Sequence, residues 1–310
     1  MEAAYSGAKG THLDSRNNLG QVPFEYALDG MNTQAYRSAP EINGTQGISY
    51  GAANNEYEAV NFKVEKRFSK GFNLLANYTI SKNLETNGSG DSSYSQNGNT
   101  SLPLYAFNLN RDNGPSPLDI PQRFVASYAY DLPFGKGKTF LNRGGILDKI
   151  VGGWQVNGIT TLRGGFPTDI RVAVVPPTFA TFNVPDRISG VDMYENGGVD
   201  QYFNPAAFSI PGTVLSNTGV PIQLFGNSAR HVGRGPGAVN TDFSAFKNIP
   251  ITERSMLQFR SEFFDLTNTP TFFLASANSP TLTVGSPVFG KLSNGTAVGR
   301  QIQFALKLIF

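Results

Sequence analysis

Apolar and polar residues alternate with period two in segment after segment of this chain. From Tyr57 to Phe68 the even positions are Val60, Phe62, Val64, Lys66 and Phe68, and the odd ones are Asn61, Lys63, Glu65 and Arg67. Ser69-Lys70-Gly71 supplies a tight turn. Phe72 to Lys82 then sets Phe72, Leu74, Ala76, Tyr78 and Ile80 against Asn73, Asn77, Thr79 and Ser81. Two such runs on a short glycine-containing link predict a β-hairpin. The pattern recurs over 122–132, 154–162 and 254–266, with a weaker strand at 240–248. It is most regular over 300–310, where Ile302, Phe304, Leu306, Leu308 and Phe310 alternate with Gln301, Gln303 and Lys307. Each run is about the length, roughly 9–11 residues, that a tilted strand needs to cross a bilayer.

The connections alternate as well. Long polar stretches occupy 7–56, 83–121, 165–239 and 267–298, short ones lie at 69–71 and 249–253, and 133–153 is intermediate. With residues 1–6 as the end of a further strand, about eight strands follow one another on alternating long and short links. The expected fold is therefore all-β, an antiparallel transmembrane β-barrel with long extracellular loops and short periplasmic turns. Every short turn falls on the side of Phe310. Near that side Phe68, Phe72, Tyr130, Trp154 and Phe310 lie on apolar faces, as a periplasmic aromatic girdle would. Arg123, Arg163, Arg260 and Glu262 fall on the polar stripe that faces the lumen. There they either meet a plug or a passing solute, or simply keep the wall hydrated and paired across strands. A soluble β-sandwich also alternates. Its strands, however, are usually about 5–6 residues long, and loops beyond about 12–15 residues are rare in it.

Composition narrows the field further. Charged residues are 15% of the chain, well under the roughly 25% of soluble domains. A formal net charge of +2 is too small for a nucleic-acid surface. Cysteine is absent, so no disulfide, thiolate nucleophile or zinc–thiolate site can form. No run of 18 apolar residues predicts a membrane helix. The N-terminus lacks the basic and apolar regions of a signal peptide, so the chain is expected to be a fragment of a longer protein. The two histidines, His12 and His231, sit in predicted loops without metal-ligand spacing. No G-x-S-x-G elbow occurs. Gly135-Lys136-Gly137-Lys138 and Gly233-Arg234-Gly235-Pro236-Gly237 lack P-loop spacing, and Asn87-Gly88-Ser89-Gly90-Asp91 lacks the acidic ligands of a calcium loop. No enzyme, cofactor or metal is expected. Loop tyrosines at 36, 50, 94, 105, 194 and 202 either stack on planar ligands or pack the loops onto themselves.

The terminal strand, apolar at every second position and closing on Phe310, resembles the signal by which the outer-membrane assembly machinery recognises its clients. Further stretches resemble the C-terminal barrel of TonB-dependent receptors of the Oar-like branch, common in acidobacteria and often carrying a carboxypeptidase-regulatory-like domain. They include Glu65-Lys66-Arg67-Phe68-Ser69-Lys70-Gly71, Asn77-Tyr78-Thr79-Ile80-Ser81-Lys82, Gln122-Arg123-Phe124, Leu132-Pro133-Phe134-Gly135-Lys136-Gly137 and Gly152-Gly153-Trp154-Gln155-Val156. Phe246-Lys247-Asn248 and the stretch from Leu257 to Asn268 continue the resemblance over nearly the whole chain. It implies a 22-stranded barrel around a globular plug, of which residues 1–310 would be the C-terminal part, about eight strands. No plug, signal peptide or candidate TonB box is found in these residues. The implied partners are outer-membrane lipid, the barrel assembly machinery, the plug and earlier strands, and through the plug TonB. The implied role is uptake or binding of a bulky solute, whether carbohydrate, siderophore or peptide. The alternative is a self-contained small outer-membrane barrel acting as structural protein, adhesin or porin. A third reading is a secreted soluble binding module.

Overall fold

The computed structural model describes residues 1–31, 34–41, 47–86, 102–142, 145–272, 279–292 and 299–310. The sequence positions Asn87 to Asp91 and Tyr94 lie outside them. Eight long strands form one antiparallel sheet in chain order. They are β1 (Glu2–Asn18), β2 (Gly47–Ser69), β3 (Phe72–Thr86), β4 (Gln122–Asp131), β5 (Trp154–Arg163), β6 (Ala238–Pro250), β7 (Met256–Phe264) and β8 (Gln301–Ile309). The two-residue segment Gly114–Pro115 adds to β3 off this path. Among the described residues β1 and β8 do not pair with one another, so the sheet is open at both edges.

Directly paired residues share a face, so the register assigns every side chain. One row runs Phe62, Tyr78, Phe124, Leu162 and Val239 across β2 to β6. Another runs Leu74, Tyr128, Gly158, Phe243, Phe263 and Ile302 across β3 to β8. The neighbouring row on the other face is polar: Asn73, Ala129, Asn157, Ser244, Glu262 and Gln303. Gly158 interrupts the apolar alternation of β5 because the ring of Tyr128 lies over it. A Cβ there would come within 2.5 Å of the tyrosine hydroxyl. Local chemistry makes the tight turn: Lys70 (φ 51°) and Gly71 (φ 78°) both take left-handed backbone, as a two-residue primed turn demands.

The structure differs from the alternation-based expectation in two ways. First, β1 and β2 run far past residues 6 and 57, to lengths of 17 and 23 residues, about twice what a bilayer crossing needs. The extra length carries no sustained apolar alternation. Backbone pairing, continuous from Glu2↔Lys63 to Asn18↔Gly47 apart from two bulges, holds it without an apolar stripe. His12 therefore lies in β1 and not in a loop, at φ 56° in the bulge between Gly10 and Leu13.

Second, the long connections are not loose polar loops. At the end opposite the short turns they fold together into a compact body. Ile170, Val172, Phe203, Ala207, Phe208, Leu282, Val284 and Phe289 form its main core, and Leu104, Phe182 and Val184 a smaller one. Short strands tie the connections to each other. Arg171–Val172 pairs in parallel with Thr283–Val284, and Pro167–Thr168 pairs with Gly233–Arg234. The first connection joins in through Gln21, whose side chain donates to the Leu104 carbonyl (3.2 Å) and accepts from the Ala106 amide (2.7 Å).

Candidate functional site

Two surfaces carry the chemistry: the concave polar face of the sheet and the loop body at its end. The concave face holds a groove of about 660 Å³, lined by Asn73, Ser127, Asn157, Asp242, Ser244 and Glu262 among others. Apolar surface enters it along one row in particular, since Leu75, Ile159 and Phe264 share a face with Glu65, Ser127 and Asp242.

All four charged residues assigned to the lumen lie on this face, but not at one place. Glu262 lines the groove opposite Ser244. Arg260 lies two residues nearer the short turns. Its guanidinium stacks 4.8 Å from the Phe246 ring, and its Nε donates to Gln258 Oε1 at 2.6 Å. Arg123 and Arg163 are direct cross-strand partners. Arg163 lies eight residues along β5 from Gln155, which shares the row of Arg260, a separation of roughly 27 Å. Arg163 stacks on Phe166 at 4.6 Å. Among the described residues neither Arg123 nor Arg163 has a carboxylate within salt-bridge reach.

The residues assigned to the aromatic girdle fall mostly on the convex apolar face near the short turns. Phe72 and Tyr130 are direct partners in an edge-to-face contact at 5.7 Å. Trp154, on the same face, donates its indole N–H to the Ile150 carbonyl (2.9 Å), with the Lys247 ammonium 5.3 Å from its ring. Phe310 follows β8 and is exposed. Phe68 departs from the assignment. The register shifts between Lys66↔Leu74 and Ser69↔Phe72. Counted from the second pair, Phe68 falls on the face of Asn73, and it lines the concave groove. A bulge reverses the alternation at the point where the strand enters its turn. The terminal-strand residues Ile302, Phe304, Leu306, Leu308 and Phe310 share the convex face and are 49–95% exposed. Phe304 stacks on Phe259 at 6.2 Å.

Sequence reasoning missed the loop body's ionic centre. Asp169 accepts from Arg230 Nε (3.1 Å) and from the His231 backbone N–H (2.9 Å), and Arg171 Nη2 approaches it at 3.3 Å. Arg230 Nη1 reaches on to Asp112, which also accepts from the Leu104 amide. All five side chains are buried. Burial opposes the charge of Asp169, but Arg230, His231 and Arg171 outweigh it and hold its carboxyl below the usual carboxylate range. Burial pushes Asp112 up, with Arg230 pulling back. Burial also lowers His231 against the pull of Asp169. The imidazole Nδ1 lies 2.8 Å from the Pro115 carbonyl, which can only accept, so Nδ1 carries the hydrogen. The signal for this body was present in the sequence. Phe166 to Val175 and Phe203 to Phe208 are apolar clusters inside stretches otherwise rich in glycine, asparagine and proline.

Tyr50, expected in a loop, lies in β2, and the loop tyrosines at 36, 105, 194 and 202 each meet other rings. Tyr105 contacts Phe107 and Phe225 and accepts from the Phe24 amide, Tyr194 meets Tyr202 and Phe203, and Tyr36 meets Tyr26. Among the described residues no three histidine or acidic side chains gather as metal ligands do.

Residues 1–303 match the family model of the outer membrane beta barrel domain. No curated protein matches the chain by sequence. A structural match, with a TM-score of 0.39 and 9% identity, is to the crystal structure of the outer membrane transporter YddB from Escherichia coli. It covers 99% of this chain and 30% of that one, so the chain spans under a third of that transporter's length.

Proposed function

The chain belongs to the outer membrane beta barrel domain family and resides in the outer membrane, and from that premise we propose that it forms the closing section of a TonB-dependent receptor barrel of the Oar-like type. The open sheet carries this reading. Lipid supplies no hydrogen bonds, so an unpaired strand edge cannot stand in the hydrocarbon layer. β1 and β8 each leave such an edge among the described residues, and further strands of the same protein would pair both. A 22-stranded barrel has room for a plug against the polar concave face, and the plug would connect the barrel to TonB. The solute is a bulky one, carbohydrate, siderophore or peptide, met first by the loop body. The role is non-enzymatic. The convex row Ile302, Phe304, Leu306, Leu308 and Phe310 would be read by the barrel assembly machinery before insertion.

Solute uptake by cells expressing the whole locus tests the proposal. Accumulation should be saturable and should cease when the energising inner-membrane complex is deleted. Uptake that persists without that complex would instead favour a self-contained barrel or porin.

A further inference from the structure

The link between β4 and β5 is more than a turn, and its surface is the reverse of what a water-facing link requires. Residues 133–140 fold back on themselves, with Phe140 N donating to Pro133 O and Gly135 N to Phe140 O, both at 2.9 Å. This hairpin packs on a short helix, Ile146–Val151, through the bond from the Lys136 amide to the Asp148 carboxylate. A Cβ on Gly135 would lie 2.7 Å from Gly152 Cα, so the two pieces touch at backbone distance. Yet four apolar side chains of the link point outward. Phe140, Leu141, Ile146 and Ile150 are all more than half exposed, Ile146 reaching 78%. Ile146 and Ile150 are four residues apart and share one side of the helix. By sequence, 133–153 carries Lys136, Lys138, Arg143 and Lys149 against one acid, Asp148, a net charge of +3.

The helix is tied to the convex face. Trp154 Nε1 donates to the Ile150 carbonyl, and the Lys247 ammonium donates to the carbonyls of Ile150 (3.0 Å) and Gly152 (2.6 Å). Trp154 and Lys247 are direct cross-strand partners in the outward row that continues through Phe259 to Leu306. The exposed isoleucines therefore continue the membrane-facing surface at the periplasmic rim, where the hydrocarbon layer gives way to headgroups.

We infer that residues 133–142 and 145–153 form a membrane-interface foot. Phe140, Leu141, Ile146 and Ile150 enter the acyl boundary of the inner leaflet, and Lys136, Lys138 and Lys149 engage the phosphates of anionic phospholipid. Apolar side chains with snorkelling lysines are the combination that holds a helix in that plane. Each lysine near an anionic surface adds favourable electrostatics that salt screens. The foot requires only membrane residence, so it stands or falls separately from the transport proposal.

Site-directed spin labelling of the whole protein tests it; residues 1–310 contain no cysteine to compete for the label, and any cysteine elsewhere in the protein is changed to Ser. Nitroxides on Ile146→Cys and Ile150→Cys are compared with one on Glu253→Cys, in the other short turn, after reconstitution in phosphatidylcholine vesicles with and without phosphatidylglycerol. Accessibility to oxygen relative to a water-soluble nickel complex should be several-fold higher at 146 and 150 than at 253. It should rise further with phosphatidylglycerol, and this rise should vanish when Lys136, Lys138 and Lys149 are all changed to Gln. Equal accessibility at the three sites would overturn the inference. So would immersion that ignores the anionic lipid or the lysines. Both labelled positions are exposed, and two of them guard against one label distorting the link.

Discussion

The sheet and the loop body are built on opposite rules. Among the described residues, every buried hydrophobic side chain larger than alanine lies outside the eight strands. The strands turn most of their aromatic and aliphatic residues to the convex face and line the groove with amides, hydroxyls and charges around Phe68, Leu75, Ile159 and Phe264. The loop body does the reverse, with phenylalanine, leucine and valine inside and even its central ions enclosed. The hydrophobic effect operates in both. In an outer-membrane barrel the apolar medium outside the strands is lipid, and for the loop body it is the protein itself. A substitution should therefore have opposite consequences depending on the region that receives it.

The largest effect is expected at Arg230. It bridges Asp112 and Asp169 with no access to water, and removing one partner of a buried pair costs about 3–5 kcal/mol because the remaining charges are stranded. Arg230→Ala should loosen the loop body selectively. Hydrogen exchange should accelerate across 165–237 while the amides of β3 to β7 keep their protection. Equal loss of protection in the strands would show that sheet and body fold as one unit, and the contrast would fail.

Neighbouring residues of β7 test the other half of the contrast. Phe263 lies on the convex face beside Phe243 at 6.3 Å, and Glu262 faces the groove. Phe263→Arg should cost about 2–4 kcal/mol in the folded barrel, the range for an arginine placed towards lipid in the membrane interior. Glu262→Arg should stay within about 0.5 kcal/mol, as for a hydrated surface site. Denaturant titration of the reconstituted protein separates the two. Similar losses at both positions would mean that the faces are assigned wrongly.

The two regions also differed in how far the sequence disclosed them. Period-two alternation between lipid and water is a strong local signal, so the strands, their faces and their terminal aromatic could be placed from residues alone. It failed where pairing replaces patterning, as in the long extensions of β1 and β2. It failed again where one bulge shifts parity, as at Phe68. The loop body was illegible for a different reason. Its contacts join positions far apart in the chain, such as Asp112 with Arg230 and Ile170 with Leu282, and no short-range period records them. Only the apolar clusters around Ile170 and Phe203 hinted that those stretches fold.

A smaller, reversible effect is expected from pH. The ionisation of His231 is depressed by burial, and Asp169, Arg230, Arg171 and the Pro115 carbonyl surround it. A depressed pKa adds stability that is complete above the unfolded value, about 6.5, and is lost as pH falls through the folded one. The loop body should therefore open more readily as pH drops below about 6.5. Asp112, pushed up by burial, works in the other direction and begins to restore stability as it protonates. Asp169, held low, keeps its contribution through this window. The slope should disappear in His231→Asn, whose side-chain amide can still donate to Pro115. A slope of the same size in that variant would assign the effect to a carboxylate instead.

The smallest effect concerns two arginines on the wet face. Arg123 and Arg163 stand directly opposite, with Thr79 and Ala238 as their other cross-strand neighbours. Like charges so placed are destabilising, whereas an opposite pair contributes roughly 0.2–1 kcal/mol. Arg123→Glu should therefore stabilise the sheet slightly and leave the stacking of Arg163 on Phe166 intact. The gain should fade between 0.01 and 1 M salt, because the Debye length falls from about 30 Å to about 3 Å over that range. Arg123→Gln should recover about half of it at low salt and show a weaker salt dependence. The size of the change matters more than its sign. Arg230 and Arg123 carry the same guanidinium, and an effect several-fold smaller at Arg123 would show that the concave face is solvated along its length. An effect of several kcal/mol would mean that this end of the groove excludes water as the loop body does, and the boundary between the two regions would then lie lower on the strands than their register implies.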